Sequence, residues 1–259
     1  AQKLMASSGG EDAYEIEQSL MFDKGDQPYL TRIPNSGGNR RTWTWSGWVK
    51  FDTPTSYGLL FAAGDHDDIW TNGTVTTIYL YGNGRIAVYT GGTNYDVTSP
   101  YYRDVTGWAH LVVAVDTTDS TANDRIKIYF NGSQVTCTGS NPAEDLDTYV
   151  NHTNKHYIGG QATSVANAQY SGYLAEVNFV DGSQLTPSSF GETDGATSQW
   201  IPKEYTGSYG TNGFYLPFSG ETSTYTPWFT TSVEGVHFGH AAAIDGLGTK
   251  SFTTEGWIY

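Results

Sequence analysis

Residues 42–51 read TWTWSGWVKF. Trp43, Trp45, Gly47, Val49 and Phe51 fall at every second position, with Thr44, Ser46 and Lys50 between them. A strand turns successive side chains to opposite faces, so this period predicts a β-strand with a heavy aromatic core face. No 3.6-residue period competes with it.

The same alternation recurs on either side. Thr76–Tyr81 and Arg85–Thr90 flank Gly82-Asn83-Gly84, which predicts a tight hairpin. Leu111, Val113 and Val115 alternate in HLVVAVD, and Ile126, Ile128 and Phe130 in RIKIYF. Asn131-Gly132 then predicts a second hairpin that returns through Gln134–Thr138. Lys155–Ile158 and Tyr173–Phe179 are later strands, with Tyr173, Ala175, Val177 and Phe179 expected on one face. One short helix is predicted at LTPSSF, where Thr186 can cap and Pro187 fits the first position. About a dozen short strands separated by turns imply an all-β fold, a two-sheet antiparallel jelly-roll sandwich.

Composition agrees. Aromatic residues reach 15 %, too many for a disordered chain, while charged residues are only 15 %. The net charge is −14, with 13 Lys and Arg scattered along the chain. Nucleic acid and anionic membranes need clustered cations, so neither is an expected partner. No apolar run reaches the ~20 residues that span a bilayer, so no membrane insertion is expected. Cys137 is the single cysteine, which rules out an internal disulfide framework. The first ten residues, AQKLMASSGG, lack a signal peptide's apolar segment. Folding in a cytosol is the expectation.

Residues 1–18 are polar and read as an N-terminal arm, 19–220 as the jelly roll, and 221–259 as a linker and the start of a second, truncated module. The last division rests on an internal likeness. TWTWSGWVK (42–50) set beside SFTTEGWIY (251–259) pairs Thr44 with Thr253, Gly47 with Gly256 and Trp48 with Trp257. Upstream, SLMF (19–22) resembles GVHF (235–238). A repeat of this kind changes the architecture. Chance likeness between Thr-rich aromatic strands, and a terminal strand donated to a neighbouring subunit, are the alternatives.

Four motifs occur in order: WTWSGWVKF, GWAHLVVAVDTT, DRIKIYFNGSQV, and YIGG followed by SGYLAEVNFVDGSQLTPSSFGE. Together with WIPKEYTGSYGTNGFYLPFS they resemble the laminin-G-like, concanavalin-A-like jelly rolls, above all those of tailed-phage virion structural proteins of the marine type. The resemblance covers about residues 14–220 and part of 233–259. It implies a place on the virion surface, after assembly in a host cytoplasm, as a fibre, tail appendage or capsid decoration. Other virion proteins are then the expected partners and a homo-oligomer, by symmetry a trimer, the expected state. The fold transfers no ligand, because it carries many functions.

The same fold hosts glycoside hydrolases, whose retaining members need two carboxylates roughly 5 Å apart. On one strand that means acids at i, i+2 and i+4. Glu15 and Glu17 stand near the arm, and Glu176 has Asn178 two residues on and reads as a solvated residue on a sheet face. A non-enzymatic protein is the expectation. A free carbohydrate-binding module, or a remnant glycoside hydrolase, is the alternative.

Two kinds of binding chemistry are legible. Ca²⁺ takes six to eight oxygen ligands, and GDHDD (64–68) gathers Asp65, Asp67 and Asp68 in one loop with His66 among them. Asp116, Asp119 and Asp124 are a second, similar group in a polar loop. A solvated loop explains either group as well as a cation does. Sugar rings stack on exposed aromatic side chains, so Trp70 in DDIWTNG and Tyr95, Tyr101 and Tyr102 in the stretch between Thr90 and Trp108 are candidates for a rim that contacts host-surface glycan. The competing reading has them covering the ends of the sandwich. His152 and His156 read as surface residues.

Overall fold

The structure, a computed structural model, describes residues 14–52, 57–64, 74–161, 169–218, 230–231 and 236–238. Its strands are β1 (Leu20–Phe22), β2 (Leu30–Arg32), β3 (Thr42–Phe51), β4 (Gly58–Gly64), β5 (Val75–Tyr81) and β6 (Arg85–Thr90). They continue with β7 (Thr93–Thr98), β8 (Ala109–Asp116), β9 (Ile126–Phe130), β10 (Ser133–Gln134), β11 (Cys137–Thr138) and β12 (Lys155–Ile158). The last are β13 (Gly172–Asp181), β14 (Gly191–Thr193), β15 (Trp200–Pro202), β16 (Phe214–Leu216), β17 (Thr230–Thr231) and β18 (Val236–Phe238).

Two antiparallel sheets face one another. The first runs β10-β9-β8-β3-β13-β1-β18, with β16 also on β13; the second runs β11-β7-β6-β5-β4-β12-β2-β17. The core between them takes Trp43, Trp45, Val49 and Phe51 from β3, as the period of two predicts, and Leu60, Ile78, Ile86, Val113 and Phe179 from its neighbours. Gly47 shares that face because the Trp45 indole occupies its side-chain space: a Cβ there would lie 2.7 Å from the ring. Both predicted hairpins form. Gly84 and Gly132 take φ of +88° and +80°, and Asn131 takes +47°, the left-handed region these turns require.

Several expectations change. The second hairpin is short: after β10 the chain crosses to the other sheet, where β11 pairs with β7. The LTPSSF helix is a single 3-10 turn, Pro187–Ser189, and the Thr186 hydroxyl bonds Ser188 Oγ rather than a backbone N–H. Strand β13 carries a bulge. Ala175 pairs with Trp48 and Asn178 with Ser46, so Glu176 and Val177 together oppose Gly47. The extra residue reverses the alternation, and Leu174 enters the core in place of Tyr173 and Ala175.

The outer face of the first sheet is not solvent. The stretch between β13 and β16 lies across it, carrying the two-stranded β14–β15 sheet and packing Phe190, Leu185, Tyr205 and Tyr209 on Val112, Ala114 and Val180. Thr44 and Ser46 are buried beneath this third layer. Among the described residues no helix is long and apolar enough to cross a membrane.

Candidate functional site

The β5–β6 turn carries an aromatic rim. Tyr57 stacks on Tyr79 at 6.4 Å and packs at a tilt against Tyr81 at 5.2 Å between ring centroids, and lies against Gly82, where a Cβ would sit 3.0 Å from its ring. On the other side of the turn, the Tyr102 N–H donates to Gly84 O at 2.6 Å. This bond brings the chain at Tyr101 beside Arg85. The Arg85 guanidinium lies 5.8 Å from the Tyr101 ring centroid and that of Arg103 lies 5.0 Å away. Arg85 is held in place: it donates to Thr98 O, to Val97 O and to Thr138 Oγ1. Tyr101 is 54 % exposed and Tyr57 37 %, so both offer ring surface to solvent. Sequence reasoning found Tyr101 but missed Tyr57, Tyr81 and the two arginines. Tyr81 and Arg85 flank the glycine turn in sequence, whereas Tyr57 and Arg103 are distant from it and carry no such signal.

The other predicted aromatics have different neighbours. Tyr102 lies face to face on Phe130 at 3.7 Å, and burial pushes its phenol up to about 12. Tyr95 belongs to β7 and packs on the core. These two cover the sandwich edge, and Tyr101 is left as the exposed member of the three. Trp70 and the carboxylates Asp65, Asp67 and Asp68 lie outside the described residues, as does His66. Asp116 and Asp119 spend their carboxylates on the N–H groups of Thr118 and Thr121, and Asp124 pairs with Lys127 at 3.1 Å. Among the described residues no group of three or more His, Cys, Asp or Glu is placed to hold a metal ion.

A second, polar cluster sits where the third layer meets the first sheet. Glu176 occupies the β13 bulge with φ +49°, an unfavourable conformation for a residue with a Cβ. Its carboxylate accepts hydrogen bonds from Tyr14 and, at 2.7 Å, from Tyr215. Contrary to the solvated reading, Glu176 is buried. Burial raises its pKa, the two tyrosine bonds oppose that, and Glu204 adds to the rise. Asn178 alongside bonds the Tyr209 hydroxyl at 2.7 Å. Ser46, Trp48, His110, Phe190, Pro202 and Lys203 border the same indentation. Its empty space is about 170 Å³, including the part open to solvent, which is below the range of ligand pockets.

Among the described residues His110 and His156 are internal, while His152 is half-buried. Desolvation lowers His110 to about 3 and His156 to about 4. His156 accepts from the Asn151 N–H at 3.0 Å and faces Asn154 O with its other nitrogen, so it is a neutral core residue and not the surface residue expected. Asp181 forms a buried hub, accepting from the backbone N–H groups of Asn39 and Asn212 and from the Asn151 amide.

Comparisons with known proteins follow the fold. Residues 24–189 match the laminin G type of the concanavalin A-like lectin/glucanases superfamily. No curated protein matches the sequence. Among solved structures, a putative carbohydrate binding protein from Bacteroides ovatus superposes with a TM-score of 0.59 at 14 % identity, over 88 % of this chain and 60 % of that one. This chain therefore spans about three fifths of that protein. A heptameric SAP-like pentraxin from Limulus polyphemus gives 0.49 at 17 % identity, over 67 % and 80 % of the two chains. Domains LG4-5 of the mouse laminin alpha1 chain give 0.44 at 13 %, over 68 % and 44 %.

Proposed function

Since the chain belongs to the concanavalin A-like lectin/glucanases superfamily, we propose that it is a non-enzymatic, glycan-contacting module of a virion surface structure, a fibre, tail appendage or capsid decoration. The observation that carries the glycan part is the rim of Tyr57, Tyr81 and Tyr101 around the β5–β6 turn, with Arg85 and Arg103 beside it. Aromatic faces take the apolar face of a sugar ring, and guanidinium groups donate to its oxygens. The virion part rests on the order of sequence motifs alone. The non-enzymatic part is supported by Glu176, whose carboxylate is spent on two tyrosines and whose neighbour two residues on is Asn178.

Ca²⁺ at Asp65, Asp67 and Asp68 belongs to the same proposal on sequence grounds. A module of this fold that binds carbohydrate away from any virion is the second reading. It is favoured by the same rim, and the Bacteroides ovatus likeness supports it only as far as the fold. A glycan array probed with the 259-residue chain and with Tyr101→Ala tests the rim: signals that weaken in the variant are expected, and equal signals remove the rim from the reading. Peptide mass mapping of purified virions separates the two readings. Finding the chain in the particle supports the first, and its absence leaves the second. Hydrolysis of any bound glycan that disappears in Glu176→Gln would overturn the non-enzymatic reading.

A further inference from the structure

Strand β18 pairs antiparallel with β1 at the margin of the first sheet: Leu20 faces Phe238, Met21 faces His237 and Phe22 faces Val236. Independently, SLMF (19–22) and GVHF (235–238) are the stretches that correspond in the internal repeat. Aligned, Leu20 corresponds to Val236, Met21 to His237 and Phe22 to Phe238. The middle residue of each strand thus faces its own counterpart, and each outer residue faces the counterpart of the other outer residue. That is the pattern of two equivalent strands related by a local twofold axis at Met21/His237. The likeness resumes downstream, where Arg41 to Lys50 aligns with Lys250 to Tyr259 and keeps the Gly-Trp pair. Nearby, β17 pairs with β2 at the margin of the second sheet, so the segment after the sandwich meets both sheets on one side.

We propose that the β1 margin is a self-complementary junction. It receives the first strand of another copy of this same fold, and in this chain that copy is the one opening at about residue 233. A strand margin exposes unpaired N–H and C=O groups, and pairing it with its own equivalent satisfies both copies with one isologous contact. Copies joined this way share one continuous sheet across the junction. A string of modules can therefore be stiff without a disulfide, which suits an extended appendage. The junction itself needs no glycan and stands or falls apart from the rim.

Directly opposed residues of an antiparallel pair have Cα atoms about 4.5–5.5 Å apart, within disulfide range. The full chain with Cys137→Ser, Met21→Cys and His237→Cys should close an intrachain disulfide between 21 and 237 on mild oxidation, identified by peptide mass mapping. A partner cysteine moved from 237 to 240 should remain a thiol. In a second variant, Val236→Pro and His237→Pro remove ladder N–H groups and release β18. With Met21→Cys as its one cysteine, that chain should form a dimer linked 21 to 21, because the exposed strand is its own complement. Thiols that stay unlinked at 21 and 237, or link equally well at 240, would overturn the register. Failure to form the 21–21 dimer would overturn the self-complementarity.

Discussion

Trp200 donates its indole N–H to Nδ1 of His110 at 2.9 Å. An indole nitrogen can only donate, so Nδ1 of His110 is an acceptor and the proton sits on Nε2, 2.8 Å from Ser46 Oγ. Trp48 stacks on one side of the imidazole at 5.1 Å and Trp200 lies near-parallel to it at 6.0 Å. One bond therefore fixes the tautomer of a buried histidine and fastens the third layer to the first sheet.

Replacing Trp200 by Phe keeps most of the stacking and deletes the donor. The cost is expected at about 1–3 kcal/mol, that of a buried acceptor left unmade, read from urea unfolding. Trp200→Ala removes the ring as well and should cost about 3–5 kcal/mol. If Trp200→Phe costs nothing, the hydrogen bond contributes nothing; if both variants lose the same amount, the ring adds nothing to it.

Stability should fall with acid. His110 and His156 have folded pKa values depressed to about 3 and about 4, below the ordinary ~6.5 of an unfolded histidine. Between those values the unfolded chain holds more protons, so their contribution is complete above about 6.5 and is lost as pH falls towards 4, at up to about 1.4 kcal/mol per pH unit for each. Glu176 acts in the opposite sense, because its raised pKa relieves a cost as pH falls. Unfolding free energies at pH 7 and 5 should show the loss, and His156→Gln should shrink it. An unchanged slope would rule out His156 as a source.

Two glycines separate strain from collision. Gly182 has φ +95° with open space where a Cβ would stand, whereas Gly132 has φ +80° and its Cβ would lie 2.4 Å from the Trp200 ring. Gly182→Ala should cost about 1–2 kcal/mol, the left-handed penalty alone. Gly132→Ala should add about 1–3 kcal/mol of overpacking. Equal melting temperatures for the two would contradict the placement of Trp200.

Neighbouring tyrosines should part in their effects. Tyr102→Ala opens the stack on Phe130 and should lower stability by about 3 kcal/mol or more. Tyr101→Ala, at an exposed ring, should leave stability within about 0.5 kcal/mol and show only in glycan binding. Thermal unfolding and the array together check both halves.

The sequence by itself determined the class of fold, the strands of the core and the two hairpins. A period of two needs only the chain's own geometry, and glycine at positive φ needs only its missing Cβ: TWTWSGWVKF and Asn131-Gly132 could be read with no knowledge of what surrounds them. The resemblance of the motifs pointed to the superfamily for a related reason, since order and spacing survive without contacts. Only the tertiary structure decided which residues meet. One extra residue in β13 turned Leu174 inward and Tyr173 and Ala175 away from the core, and alternation carries no mark of a bulge. Glu176 and Thr44 look like surface residues until the stretch between β13 and β16 is laid over them. His156 is buried, Tyr102 half-buried and Tyr101 exposed by packing between segments far apart in the chain. The rim of Tyr57, Tyr81, Arg85 and Tyr101 exists because a hydrogen bond from Tyr102 to Gly84 draws one loop against another's turn. Such long-range contacts are fixed by the sum of the packing, which no single stretch of sequence contains.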